Sequence, residues 1–184
     1  MKSLIFGLFL LAPAIGFSQG ETAPVMPMPE QIGVIYYFGQ AQNVLTPLAK
    51  EQATVKSKAR TLGFGGQDSW VELKGQNSSV RLIAGVTHEF VLRSVDPTRF
   101  KLYQFEVNVK EKRRKLLLFQ SGVMNAKGEG KLQQSEIPLT ISECGQSCFK
   151  LVPNIPLEEG EYALSPSDSN DTFSFSVVSA PLAP

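Results

Sequence analysis

A succession of short hydrophobic runs with β-type character, separated by glycine, proline and polar residues, is the feature that most constrains the fold of this chain. No window sustains the helical period of an amphipathic α-helix. Many short strands without a repeat of fixed length predict an all-β fold, an antiparallel β-sandwich with little helix, as a single domain over residues 33–179. The clearest runs are 33–38, 70–73, 80–83, 88–92, 100–109, 116–119, 137–141, 149–151 and 173–178.

The first 18 residues predict a secretory signal peptide. Lys2 precedes an apolar run that is shorter than a membrane-spanning helix, and Gly16 and Ser18 are small residues that favour cleavage before Gln19. A retained anchor is the less favoured alternative. Residues 19–32 contain three prolines and predict an extended leader outside the core, and residues 180–184 form a short tail. We therefore expect an exported protein, periplasmic or secreted, with no membrane span in the mature chain.

Export favours a disulfide between the two cysteines, Cys144 and Cys148. Their C-x3-C spacing differs from the C-x-x-C of thiol oxidoreductases, so a structural bridge is favoured over a redox role. The flanking runs predict two strands joined by a three-residue turn, with the cysteines opposed across its neck.

The composition excludes several classes of function. The chain carries 18 basic and 17 acidic residues, so no overall charge requires a nucleic-acid partner. One histidine and two cysteines exclude most zinc sites and most histidine-dependent catalysis, and we assign no catalytic residue, metal or cofactor. His88 falls in line with Phe90 and Leu92, which favours a packed sheet residue over an acid–base group.

A pattern near the C-terminus sharpens the fold prediction. Leu157, Gly160 and Tyr162 occur as L-E-E-G-E-Y, which resembles the L-x-P-G-x-Y tyrosine corner of fibronectin type III and immunoglobulin-like domains, with Glu159 in place of the usual proline. The resemblance implies an immunoglobulin-like sandwich and covers about the last 35 residues. The ending is also similar to that of uncharacterised secreted bacterial β-proteins. Neither resemblance implies an activity.

A dense basic run lies between two apolar strands, where a hairpin with an exposed tip is expected. It can bind phosphates, acidic glycans or an acidic protein surface, and the competing interpretation is a solvated turn that prevents edge-to-edge aggregation. Its cations are Lys110, Lys112, Arg113, Arg114 and Lys115.

Charge is unevenly distributed along the chain: residues 19–131 carry 16 basic and 10 acidic residues, whereas residues 132–184 carry one basic and seven acidic residues. This asymmetry is either neutralised inside the fold or drives head-to-tail self-association. Glu158, Glu159 and Glu161 are adjacent on a turn, which favours solvated charges over a paired-carboxylate site. The polar segment 165–171 is better explained as a hairpin loop than as a calcium loop.

These observations favour an exported, non-enzymatic binding or assembly module whose strand edges and loops contact another envelope or extracellular protein. The alternative is a protein that binds an acidic glycan or other polyanion through the hairpin at 110–115. A hydrolase built on carboxylates alone ranks last, since no arrangement of residues favours it.

Overall fold

A computed structural model describes residues 26–59, 67–120 and 135–180. The signal peptide, the glycine-rich segment 63–66 and residues 181–184 of the tail lie outside these ranges. Strands dominate the described residues, with one 3-10 turn at Pro97–Arg99. The strands are β1 (Ile35–Gly39), β2 (Val44–Pro47), β3 (Ala49–Gln52), β4 (Thr54–Ala59), β5 (Gln67–Lys74), β6 (Arg81–Ile83), β7 (Phe90–Arg93), β8 (Phe100–Asn108), β9 (Arg113–Gln120), β10 (Glu136–Ile137), β11 (Leu139–Gly145), β12 (Cys148–Pro153), β13 (Gly160–Pro166) and β14 (Asp171–Val178).

The strands form two sheets, which confirms the all-β sandwich. The first sheet has five strands in the order β11-β12-β7-β1-β2. The second has nine strands, with the main order β3-β14-β13-β8-β9-β5-β4; β10 also pairs with β8, and β6 with β14. The pairings are antiparallel except that of β6 with β14.

The second sheet curls back on itself. Its two terminal strands, β3 and β4, are separated in the chain by Ala53 alone, so one bent segment pairs first with β14 and then with β5. The Ala53 amide donates to the Asn170 carbonyl over 2.8 Å at the point where the segment leaves β14. As a result, β4, β5 and β9 form a three-stranded ribbon that lies over β8, β13 and β14.

The central strands are consequently buried on both faces. Tyr162 and Leu164 of β13 belong to the main core between the two sheets, whereas Ala163, between them, joins a second core beneath the ribbon. In the same way, Leu102 of β8 faces the main core and Phe105 faces the second. Burial on both sides explains why the apolar residues of the run 100–109 change from one face of the strand to the other.

The leader packs more closely than its composition predicts. Pro29 is buried, and Met26 contacts a third cluster on the outer face of the first sheet, where it meets Phe38 and Val91. The prolines of the leader predicted an extended segment outside the core. The outer face of the first sheet is apolar, however, and the described end of the leader packs against it and buries part of its surface.

A disulfide joins Cys144 to Cys148, as predicted. The turn between their strands has two residues rather than three, because Gly145 pairs with Cys148 and a register shift follows Glu143. Ser147 adopts a φ of 55° in this turn. The spacing of the cysteines predicted the disulfide. It does not predict the bulge after Glu143, which shortens the turn.

Candidate functional site

Among the described residues, a pocket of about 190 Å³ lies between the ribbon and the β13–β14 loop. We call it the ribbon cleft. Its walls are mainly apolar, and its rim carries Lys101 and hydroxyl or amide side chains. The lining residues are Ala53, Val71, Lys101, Tyr103, Phe105, Leu116, Leu118, Ser165, Pro166, Ser167, Ser169, Asn170 and Thr172.

The cleft lies where the chain stops pairing with β14, at Ala53, and continues as β4 beside β5. Within the described residues β4 pairs on one edge only, with β5, and all six of its residues are exposed. Register assigns its side chains to two faces: Val55 lies opposite Val71, which lines the cleft, and Lys56 lies opposite Trp70 on the other face. The open edge of β4 therefore lies beside an apolar cavity.

A buried ion cluster holds the ribbon over the central strands. Arg114 of β9 is 1% exposed, and its Nη2 lies 2.6 Å from Glu51 Oε2 on β3. Its Nη1 lies 3.7 Å from Glu161 Oε2 on β13. Arg114 also donates to the Lys74 carbonyl over 2.8 Å and to the Gly75 carbonyl over 3.4 Å. The guanidinium of β9 thus contacts β3, β13 and the end of β5.

Serine side chains complete this cluster. The Ser78 amide donates to Glu161 Oε2 over 2.9 Å, and the Ser174 hydroxyl donates to Glu51. Ser174 Oγ lies 2.8 Å from Ser78 Oγ, and Ser176 Oγ accepts from the Ser78 amide over 3.1 Å. The polar face of β14 is therefore buried against bonded partners, which is the condition for burying polar groups without a large cost.

The basic run is divided by strand alternation. Lys110 and Lys112 lie in the exposed turn between β8 and β9, as predicted for its tip. Arg113 and Lys115 lie on the outer face of β9, while Arg114 points into the buried cluster. The five cations thus do not form one surface, and Arg114 is inaccessible to a polyanion.

A buried carboxylate organises the outer face of the ribbon. Glu72 is 4% exposed and accepts from Trp70 Nε1 over 2.7 Å and from Arg113 Nη1 over 2.8 Å. Lys56 Nζ lies 3.1 Å and Lys115 Nζ 3.6 Å from it. Burial raises the pKa of Glu72, but the bonds from Trp70 and Lys56 and the nearby cations outweigh it and lower that pKa to about 2. Lys115 also pairs with Glu111, so cations and carboxylates are interlinked on this face.

The tyrosine corner forms. Tyr162 Oη donates to the Glu158 carbonyl over 2.9 Å, and Leu157 is buried in the same core. Burial, together with the charge of Glu158, raises the pKa of Tyr162. Gly160 has no positive φ; a Cβ there would lie 3.2 Å from Gln104 Nε2 and 3.4 Å from a Tyr162 ring carbon, so a larger residue would require a small shift of the Gln104 side chain.

His88 is buried beside aromatic rings, as its position in line with Phe90 predicted. Its ring centroid lies 6.5 Å from that of Phe90, nearly parallel, and 6.2 Å from that of Tyr37. Burial lowers the pKa of His88, and the Ile83 backbone opposes the shift only in part. A neutral, enclosed imidazole suits packing better than proton transfer to a substrate.

The carboxylates of the acidic segment are mostly paired with basic residues from earlier in the chain. Glu161 contacts Arg114, Asp171 lies 2.7 Å from Lys50, and Asp168 pairs with Arg99. Among the described residues no group of three or more potential metal ligands occurs. These ion pairs neutralise part of the charge asymmetry inside the fold, and they engage the acids of segment 165–171.

Two features escaped the sequence analysis. The ribbon cleft is lined by residues of β5, β8, β9, β13 and β14, which are distant in sequence, and no local pattern predicts their convergence. The inward position of Arg114, by contrast, had a signal: Arg114, Leu116 and Leu118 share one face at the two-residue period of a strand.

Comparison of this chain with known proteins finds no matching family model, curated protein or solved structure. In the part of the chain that the structure describes, no helix has the length and apolar character needed to cross a membrane.

Proposed function

We propose that this protein is an exported, non-enzymatic binding module whose ribbon cleft contacts another protein of the envelope or extracellular space. One observation carries the proposal: among the described residues β4 pairs on one edge only, and its neighbours Ala53 and Val71 line an apolar pocket of about 190 Å³. Open strand edges bind partners by backbone pairing, and a neighbouring pocket supplies selectivity. The disulfide supports export, because such bridges persist in oxidising compartments.

Site-specific photocrosslinking tests this function. A photoreactive phenylalanine analogue replaces Val55, which is 56% exposed and pairs with the cleft residue Val71, or Val95, which is 96% exposed and lies in neither β4 nor β5. Irradiation in the source envelope and medium should yield a protein adduct from position 55 and none from position 95. Equal adducts from both positions, or none from position 55, would contradict the proposal.

An immunoglobulin-like topology would explain the position of the module's strands. We infer it from strand order: β1-β7-β12-β11 in one sheet and β8-β13-β14 in the other follow the A-B-E-D and C-F-G orders of that fold. The corner tyrosine then lies at the start of strand F, where it is expected. An experimental structure that lacks β13 between β8 and β14 would refute the assignment.

Polyanion or glycan binding is the second candidate. It is favoured by Arg113 and Lys115 on the outer face of the ribbon, where Lys115 Nζ lies 5.6 Å from the centroid of the Trp70 ring. Arg113→Gln with Lys115→Gln should lower the salt concentration that elutes the protein from immobilised heparin. The turn variant Lys110→Gln with Lys112→Gln removes the same charge elsewhere. An equal effect of both variants would assign binding to net charge, and no effect of either would remove this candidate.

A further inference from the structure

We propose that the ribbon cleft binds an extended peptide in which apolar and acidic residues alternate, and that this peptide adds to the sheet as a strand beside β4. The inference rests on the proposed function and names the chemistry of its partner. Its first support is the edge itself. In an antiparallel pair, part of each strand's backbone donors and acceptors faces away from the partner strand, so β4 presents unpaired groups along its open edge among the described residues.

The register of β4 determines which side chains the peptide needs. Val55 and Ser57 lie opposite Val71 and Ser69, so they share the face that borders the cleft. A strand added to β4 follows the same two-residue period, so every second side chain of the peptide extends over this apolar wall. Aliphatic residues at those positions would bury surface against the exposed Val55 side chain.

The intervening positions of the peptide face cations. Lys56 and Lys58 point to the opposite side of β4, and both are exposed. Glutamate or aspartate opposite them would form cross-strand pairs of opposite charge, which stabilise adjacent strands. One face of β4 borders the apolar cleft and the other carries lysines, so a peptide strand beside β4 should have apolar residues on the first face and acidic residues on the second.

The same lysines disfavour a second copy of this chain. Pairing β4 with β4 would bring Lys56 and Lys58 of one molecule beside those of the other, and like charges on adjacent strands destabilise the pair. An acidic occupant removes this repulsion. The lysines therefore act as selective elements at an edge that would otherwise invite self-association.

Binding of a synthetic peptide tests the inference. The probe is a capped hexapeptide of alternating valine and glutamate, and a capped peptide with three valines followed by three glutamates is its matched control. Hydrogen exchange should show protection of amides 54–59 with the alternating peptide, together with a change in the fluorescence of Trp70. Absence of protection at 54–59, or equal binding of the block peptide, would overturn the inference.

Charge reversal at the edge gives a second test. Lys58→Glu removes an attraction and adds a repulsion, so it should weaken binding of the alternating peptide about fivefold. Lys110→Glu makes the same change in the exposed β8–β9 turn and should leave binding unaltered. Equal effects would overturn the inference. If position 55 still crosslinks a protein while the peptide fails to bind, the module survives and the strand-addition chemistry is wrong; loss of both removes the proposed function as well.

Discussion

Replacing Arg114 with leucine should destabilise the fold by about 3 kcal/mol, because it leaves two carboxylates without their shared cation. Breaking a buried ion pair by removing one partner costs about 3 to 5 kcal/mol. The lower end applies here, since Glu51 is 23% exposed and can gain hydration, whereas Glu161 is 7% exposed and retains the Ser78 amide as a donor. Much of the stability of an ordinary domain, about 5 to 15 kcal/mol, would be lost.

Urea unfolding at pH 7, followed by far-UV circular dichroism, measures this effect. Arg113→Gln is the matched control, because Arg113 precedes Arg114 in the chain but lies on the opposite face with a 39% exposed side chain. Its loss should cost no more than about 1 kcal/mol, because the Arg113 side chain is partly exposed and Glu72 keeps Trp70, Lys56 and Lys115 as partners.

A compensating variant separates lost charge pairing from lost packing. Adding Glu51→Gln and Glu161→Gln to Arg114→Leu removes the unpaired charges and should recover most of the stability. A loss below about 1 kcal/mol for Arg114→Leu alone would refute the role of the cluster in holding the ribbon. Failure of the triple variant to recover would refute the electrostatic explanation, and would instead point to packing of the arginine stem.

Four further predictions use the same unfolding measurements. Glu72→Gln should cost about 1 kcal/mol at neutral pH, because solvent screens the exposed cations that pair with Glu72. The pKa of Glu72 is lower in the folded chain than in the unfolded chain, so the carboxylate stabilises the fold fully above about pH 4.5 and loses this effect as pH falls towards 2. The stability difference between wild type and variant should therefore vanish over that range. Wild type should lose stability as pH falls below about 6.5, because protonation of His88 is easier in the unfolded chain, and His88→Phe should remove this dependence. Replacing both Cys144 and Cys148 with serine should cost about 2 kcal/mol. Tyr162→Phe should cost about 1 kcal/mol through loss of its hydrogen bond. Unchanged urea midpoints in any of these comparisons would contradict the corresponding contact.

The sequence predicted those features that depend on residues close together in the chain or on one face of one strand. The Phe173, Phe175 and Val177 face of β14 lies in the main core, the Tyr162 hydroxyl reaches upstream backbone, and the cysteines are bridged. Each of these features depends on neighbouring residues or on one face of a strand, so the sequence nearby contains its signal.

The alternation of residues within a strand does not predict contacts between segments that are distant in the chain. The alternation in β14 also places serines on a second face, which would normally indicate solvent, yet Ser174 and Ser176 are buried. Their partners, Glu51 and Ser78, come from segments about a hundred residues earlier in the chain. A polar face can be satisfied by water or by a polar cluster, and a single strand does not distinguish the two.

The buried polar layer also explains why the cleft is open at one end. Ion pairs and hydroxyl bonds need particular partners at short distances, so Arg114, Glu51 and Ser174 fix the ribbon where β3 still pairs with β14. Beyond Ala53 the chain leaves β14, the polar cluster ends, and apolar side chains such as Val71 and Leu118 replace it. Apolar contacts are less directional, and among the described residues no strand fills the gap beside them. The change from polar to apolar interior thus coincides with the change from a paired to an open strand edge, which is the combination that an added strand requires.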